Sequence, residues 1–383
     1  MGGDLLTLFF CGDVMLGRGV DQILPHPGDP ALREGYVHDA RVYVELAEAA
    51  NGPIDRPVGF SWPWGEALKV LDEAAPAARV LNVETSITRS GDFARGKGIH
   101  YRMSPENVPC LTAAHPDVCV LANNHVLDFG HQGLADTLDA LAGAGLRTAG
   151  AGADADAANR PASIPLEGGR RLLVFSFGMP SSGIPRPWAA APDSAGVAFV
   201  ARPSSAAATA LTDRVRQRKR PGDIAVASVH WGANWGYHVP RDEVAFARTL
   251  IDGGVDLVHG HSSHHPRALE VYRGKLVIYG CGDFIDDYEG ITGYEQYRDD
   301  LRLLYLVSVD PDTGGLHHVR ITPLQARRMR LRHASHQDIR WLRQLLDRIS
   351  SGFRPCVAAA PEGTLTLRPA QGSGRGSAGR PRP

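Results

Sequence analysis

Six short apolar runs in this chain end in a residue that can bind a metal. LLTLFFCG leads into Asp13, ARVLNV into Glu84, and VCVLAN into Asn124 and His125. IAVASV leads into His230, VDLVHG into His261, and KLVIYGCG into Asp283. Short β-rich apolar runs read as buried strands. In α/β layers, binding chemistry gathers in the loops beyond strand ends. A single such coincidence carries little. Six that deliver Asp, Glu, Asn and His point to one convergent site, which reads as a metal centre with two ions.

Each residue also has a plainer reading. Asp13 in CGDVMLGRG ends the first strand, where a carboxylate is costly unless paired or metal-bound; alternatively it caps the next turn. Arg18 either grips a substrate anion with its planar fork or forms a surface ion pair. Glu84 in LNVETSIT can bridge two cations, one per oxygen, or cap a turn. In LANNHVLDFG, Asn124 offers a neutral oxygen ligand and His125 can act as acid or hydrogen-bond donor. Asp128 is placed to orient that imidazole and hold its tautomer.

VHWGANWGYH carries His230 just past a strand, where a lone histidine would ordinarily be a satisfied core group. Trp231 and Trp235 are candidate walls beside it, and His238 reads as a surface-loop residue. DLVHGHSSHHPRALE holds four histidines within seven residues, His259, His261, His264 and His265. His261 and His264 are the expected ligands. His259 lies within the strand as a packing or supporting group, and His265 is expected to point away. Gly260 lets the backbone approach closely.

Hard oxygen and nitrogen donors without thiolate favour Mn, Fe or Zn over a structural cysteine-type zinc. No G-x-S-x-G elbow and no G-x-x-x-x-G-K-[ST] loop competes. Lys plus Arg total 41 and Asp plus Glu total 42, so no basic field recruits nucleic acid. Five scattered cysteines with no C-x-x-C pair argue against a disulfide framework. The N-terminus fits neither a signal peptide nor an anchor, and no segment reads as a transmembrane helix. The expectation is a soluble, cytoplasmic chain, with an upstream anchor only if translation starts earlier.

The elements that must position these residues alternate between strands and helices. Strands are expected at 5–11, up to Glu84, up to Asn124, and at 162–166, 171–178, 223–229 and 255–259. Further strands fall at 269–272 and 275–280, joined through Arg273 and Gly274, and at 301–309 and 316–323. Helices are expected in HDARVYVELAEAA and at 65–75, 105–114, 204–218, 241–252 and 336–350, with another after Asn124. Residues 25–65 read as an insertion over the site, with FSWPW at 60–64 as an aromatic rim. Residues 331–360 read as a C-terminal helical extension and 361–383 as a disordered tail. The pattern gives an α/β sandwich of mixed sheets covered by helices.

Taken in order, GDVMLGRG, NVETSIT, LANNHVLDFG, HWG and GHSSHHPRALEVYRGKLVIYGCGDF resemble the bacterial capsule-synthesis (CapA-type) poly-γ-glutamate family, a branch similar to calcineurin-like metallophosphoesterases. The likeness runs over residues 7–325. It implies a four-layered αββα metallophosphoesterase-like fold in a catalytic domain at 1–330. It also implies that Asp13, Glu84 and His264 hold one ion, and Glu84, Asn124, His230 and His261 the other. His125, steadied by Asp128, would be the general acid. The implied reaction is hydrolysis or transfer at an amide bond of a γ-glutamyl polymer or a small amide, with Arg18 on a substrate carboxylate. Two departures stand out. Met15 occupies the place where phosphoesterase relatives carry a histidine, which leaves one- and two-ion occupancy both open. Gly282-Asp283-Phe284 replaces the family's Gly-Asn-Phe, so Asp283 adds a charge. Two other readings compete: a phosphoesterase using the same centre, and a catalytically degenerate protein that binds a polymer or partner.

Overall fold

The computed structural model describes residues 5–353 and 356–368. The chain begins with β1 (Leu6–Val14), β2 (Ala78–Val83), β3 (Val118–Val120) and β4 (Arg147–Ala149), neighbours in parallel order. It crosses to a second sheet of β5 (Ala162–Pro165), β6 (Arg171–Gly178), β7 (Ile224–His230), β8 (Leu257–His261), β9 (Leu269–Tyr272) and β10 (Lys275–Ile278). It then returns with β11 (Asp283–Ile285), β12 (Leu301–Val309), β13 (Leu316–Ala326), β14 (Leu331–His333), β15 (Cys356–Ala359) and β16 (Leu365–Arg368). Among the described residues the first sheet has ten strands in the order β15-β16-β13-β12-β1-β2-β3-β4, with β11 on β1 and β14 on β13. The second has six, ordered β9-β10-β8-β7-β6-β5. Both are mixed, because β12 runs antiparallel to β1, and β5 antiparallel to β6.

Strand periodicity builds the layers. Successive side chains of a strand face opposite ways, so Leu8 and Phe10 of β1 enter the core between the sheets, with Val80, Val226, Leu257 and Ile278. Phe9 and Cys11 face outward instead, onto α2 (Arg41–Asn51), α3 (Ala67–Ala74) and α4 (Gly130–Gly143), where Val44, Leu71, Leu134 and Leu141 wait. On the second sheet, Ala225, Ala227 and Val258 pack outward against α5 (Ser205–Arg218) and α6 (Arg241–Asp252). The result is helix, sheet, sheet, helix. The short α1 (Arg18–Ile23) follows β1 directly, and α7 (His336–Ser350) adds Leu342 and Leu346 to the core between the sheets. Ser204 and Ser335 cap α5 and α7 through their hydroxyls.

The same parity decides the site. In β7, Ile224, Val226, Ser228 and His230 share the inner face; in β8, Leu257, His259 and His261 do. Parallel pairing sets Ser228 opposite His259 and His230 opposite His261. Gly260 is required there, since a Cβ would come within 2.6 Å of the Ile278 and Tyr279 carbonyl oxygens.

Three expectations are corrected. Trp64 of FSWPW is no rim: its ring is buried beside Phe284 (6.1 Å between centroids), with Nε1 donating to the Cys110 carbonyl at 2.7 Å. The segment at 105–114 is a 3₁₀ turn (Pro105–Asn107) followed by one helical turn (Pro109–Thr112), because Pro109 interrupts it. The end of the chain is not a bare helical extension plus tail. β15 and β16 extend the first sheet, with Leu365 and Leu367 buried opposite Ile321 and Val319. Residues 369–383, also read as disordered, lie outside the described residues. Cys11, Cys110, Cys119 and Cys281 are buried free thiols. Among the described residues, no helix is long and apolar enough to cross a membrane.

Leu367→Ala is expected to cost about 2–5 kcal/mol, the usual penalty for truncating a buried leucine, read as a lower midpoint in urea denaturation. An unchanged midpoint would show that β16 adds nothing to the fold.

Candidate metal centre

The ends of β1, β2, β7 and β8 meet at one place; strict alternation from Phe9 and Cys11 would send Asp13 to the helix side, and a register shift between Phe10 and Asp13 brings it to the second sheet instead. Asp13, one residue before the end of β1, accepts from Asn82 Nδ2 (2.7 Å) on β2 and from the Ser262 N–H (3.1 Å) after β8. Glu84, the residue after β2, is tied by its N–H to the Val14 carbonyl at 3.0 Å, which brings its carboxyl against that of Asp13. His230 Nδ1 and His261 Nδ1 stand 2.8 Å apart. His261 Nδ1 is 3.8 Å from Asp13 Oδ1, and His230 Nε2 is 3.7 Å from Glu84 Oε1. Asn124 Oδ1 lies 2.9 Å from His230 Nε2. Among the described residues, Asp13, His230 and His261 bring ligand atoms within 4.8 Å of one another.

The electrostatics are those of an acidic site lacking a counter-charge. Burial raises Asp13 to about 7, with Asp283 adding repulsion. Burial, then Asp13, push Glu84 well above the carboxylate range, and the two carboxyls share a hydrogen bond. Burial holds His230 and His261 well below the usual imidazole value, so both are neutral donors of lone pairs. The other buried acids nearby have cations: Asp287 has Arg18, Asp286 has Arg302, and Asp128 has Lys97. Among the described residues, Asp13 and Glu84 face only neutral imidazoles at ion-pair range, with Lys97 and His264 acting on them from farther away. Two carboxylates, an amide oxygen and two imidazoles with this surplus of negative potential fit a divalent cation.

His264 stands apart from that cluster. Its Nδ1 lies 3.0 Å from Asp283 Oδ2, and its Nε2 accepts from Asn234 Nδ2 at 2.9 Å. Burial works to lower His264, but Asp283 outweighs it and raises the imidazole; the same pair lowers Asp283 against its own burial. Asp283 is in register with Asp13, because β11 hydrogen-bonds to β1. His265 turns toward Tyr237, Trp235 and Tyr297 and accepts from the Gly236 N–H. The two tryptophans divide: Trp231 is buried against Tyr279, while Trp235 lies 5.2 Å from His264 and stacks on Tyr294.

His125 is held from three sides. Its Nδ1 lies 2.6 Å from Asp128 Oδ2, and its ring stacks on Tyr101 at 3.7 Å. Its Nε2 is 3.8 Å from Glu84 Oε1. Burial, then Lys97 and Arg18, hold its imidazole well below the ordinary value. Asp128, raised to about 6 by burial against the pull of Lys97, also accepts from the Tyr101 N–H at 2.7 Å. A neutral ring that donates Nδ1–H to Asp128 keeps an Nε2 lone pair free. A cleft of about 310 Å³ opens here, lined by Glu84, Lys97, Asn124, His125, Asn234 and His264 among others.

Arg18 departs from both of its sequence readings. It is 4 % exposed, grips Asp287 with Nε (2.8 Å) and Nη2 (2.5 Å), and gives Nη1 to Glu34 at 2.9 Å. Its guanidinium lies 3.5 Å from the centroid of Tyr43 and 4.9 Å from that of Tyr101, whose ring also contacts His125. Arg18 therefore supports the site through Tyr101, with its donors already spent. The residues that sequence reading passed over are Asn82, Lys97, Tyr101 and Ser228. Strand parity would have found Ser228, two positions before His230. Lys97 sits in a loop with no periodicity. Its ammonium reaches the Asn124 carbonyl and Asp128.

Arg18→Met leaves Asp287 and Glu34 buried without their cation. The expected loss is about 3–5 kcal/mol of stability, measured by urea denaturation. A variant as stable as the parent would return Arg18 to a role at the substrate.

The bacterial capsule synthesis protein family (PGA_cap) matches residues 7–288. A probable polyglutamine synthesis accessory protein of Mycobacterium tuberculosis is 54% identical over 96% of this chain and 97% of its own length. The PGA biosynthesis protein CapA of Bacillus subtilis is 26% identical over 84% of this chain and 72% of its own. The solved 5'-nucleotidase precursor of Thermus thermophilus aligns with a TM-score of 0.47 and 15% identity, covering 84% of this chain and 54% of that one. The chain spans about half the length of that nucleotidase. The family match and the long mycobacterial alignment settle the classification: this chain belongs to the bacterial capsule synthesis protein family.

Proposed function

We propose that the protein is a metal-dependent hydrolase or transferase acting on γ-glutamyl amide bonds in capsule-polymer metabolism. The observation that carries this reading is the convergence of Asp13, Glu84, Asn124, His230 and His261 beside the His125–Asp128 pair. The family and its named relatives supply the polymer. Asp13, Glu84, Asn124, His230 and His261 would hold one or two divalent ions (Mn, Fe or Zn), with His264 joining on release from Asp283. When bound, such ions supply Lewis acidity and a water of lowered pKa.

The chain's own groups then have distinct work. Lys97, at the wall of the cleft, brings a positive charge suited to a glutamyl carboxylate. His125 presents its Nε2 lone pair to the cleft and takes the proton of the attacking water as the new C–O bond forms. The resulting imidazolium is stabilised by Asp128, as carboxylates do for working histidines. When the C–N bond breaks, the same Nε2 returns the proton to the departing amine. His125 is thus base first and acid second. If an amine of a second substrate replaces water, the outcome is transfer. Glu84 lies beside the nitrogen that moves the proton, so a displaced ring would lose that contact.

The test is release of glutamate or shorter chains from γ-linked glutamyl substrates with added Mn²⁺. Activity is expected, with its loss under chelation and its return on adding Mn²⁺. His125→Ala is expected to lower kcat by roughly 10²–10⁴, the span of general acid–base contributions, with metal content retained. Cleavage of phosphodiesters with γ-glutamyl substrates left intact would transfer the site to phosphoester chemistry. Metal loading without turnover of either class would make it a binding protein.

A further inference from the structure

Behind His261 runs a chain of three buried polar groups that the proposed reaction does not use. His259 Nε2 lies 2.8 Å from the carbonyl oxygen of Cys11, His259 Nδ1 lies 3.0 Å from Ser228 Oγ, and Ser228 Oγ lies 2.9 Å from His261 Nε2. Ser228, His259 and His261 are all fully buried. The order of donors along this chain is forced from one end. A carbonyl oxygen only accepts, so His259 Nε2 carries the hydrogen. The ring's hydrogen-bond partners are that carbonyl and a hydroxyl, and its near ring neighbours are Phe10 at 5.0 Å and His261 at 5.1 Å. A charged imidazolium there would be buried without a counter-charge. His259 is neutral, and its Nδ1 must accept.

Ser228 therefore donates its single hydroxyl hydrogen to His259 Nδ1 and has lone pairs left for His261. His261 answers with Nε2–H. Its Nδ1, on the opposite edge of the ring, is left with a lone pair directed at the cluster, 3.8 Å from Asp13 Oδ1. His230 ends the same way: Asn124 Oδ1, 2.9 Å from its Nε2, accepts the hydrogen there, so its Nδ1 lone pair faces that of His261 across 2.8 Å and the pair needs a positive charge between them. The strand ladder makes this arrangement possible, since Ser228 and His259 form the rung below His230 and His261 on the same face. The anchoring carbonyl belongs to β1, two residues before Asp13, so the relay also ties the imidazole to the strand that supplies the carboxylate.

We propose that Ser228 and His259 are positioning residues that lock His261 in the Nε2–H tautomer, keeping Nδ1 permanently available to a cation. This inference rests on the metal-centre reading above. With the relay intact, the cation need not displace a proton from His261 Nδ1. In Ser228→Ala the ring loses its acceptor and is free to tautomerise or turn. In His259→Phe the Ser228 hydroxyl has no acceptor on that side and can donate to His261 Nε2, which drives the proton to Nδ1. Loss of such supporting hydrogen bonds typically weakens metal binding roughly 10–100-fold.

Isothermal titration with Mn²⁺ on the 383-residue chain and on both variants gives the affinity. Nitrogen-15 histidine spectra of the metal-free wild type give the tautomer directly, whatever the variants do to folding. The expected results are an Nε2–H tautomer at His261 and Mn²⁺ affinity weakened by roughly 10–100-fold in each variant. An Nδ1–H tautomer in the wild type, or variants that bind as tightly as a binding-competent parent, would overturn the relay while leaving the metal centre standing. A folded wild type that takes up neither Mn²⁺ nor Zn²⁺ would overturn the metal centre itself, and the relay's purpose with it.

Discussion

The architecture depends on keeping two like-charged carboxyl groups, Asp13 and Glu84, buried against each other at the seam between two sheets. Each is pushed far toward protonation, by burial first and then by neighbouring acids. Placing such a pair in a low-dielectric interior is costly unless a cation or shared proton offsets it. Other acids around them are offset within the chain, by Arg18, Arg302, Lys97 and His264. These two are met by neutral imidazoles and an asparagine instead. That asymmetry separates a ligand set from an ordinary buried ion-pair network.

The fold makes the seam by parity. Strands covered on both faces alternate their side chains between a helix layer and the core between the sheets, and where that core ends the inner-face positions change from valine and leucine to serine and histidine. β1 and β2 contribute the acids and β7 and β8 the imidazoles. Sheet twist and parallel pairing bring the carboxyl ends of these strands together. His125 arrives on the loop after β3, and Tyr101 and Asp128 fix its ring from the face and the edge. Rigid strands set the ligands, whereas loops carry the groups that move protons.

Much of this was readable in the residues because apolar runs with a polar terminus have a distinctive pattern. The strands at 171–178 and 301–309 and the helix at 241–252 match their expected bounds, since strong periodicity and flanking turns define them. What was not readable depends on tertiary partners. Arg18 read as a substrate grip or a surface ion pair because its buried partner Asp287 is 269 positions away. Trp64 looked exposed because its neighbour Phe284 comes from the far end of the chain. β16 looked like tail because its four residues, Leu-Thr-Leu-Arg in a Gly- and Pro-rich stretch, gain their order from pairing with β13 and β15. Lys97 had no pattern at all. His264, read as a ligand on proximity in sequence, pairs with Asp283, a residue that strand β11 brings beside Asp13.

The central claim is that a cation belongs where the four strands meet. Anomalous diffraction from crystals soaked in Mn²⁺ examines that point without assuming any reaction. The account predicts a strong peak within bonding distance of Asp13, Glu84, His230 and His261. A well-ordered site whose carboxyls and imidazoles bond only to one another, with no peak between them, would contradict it.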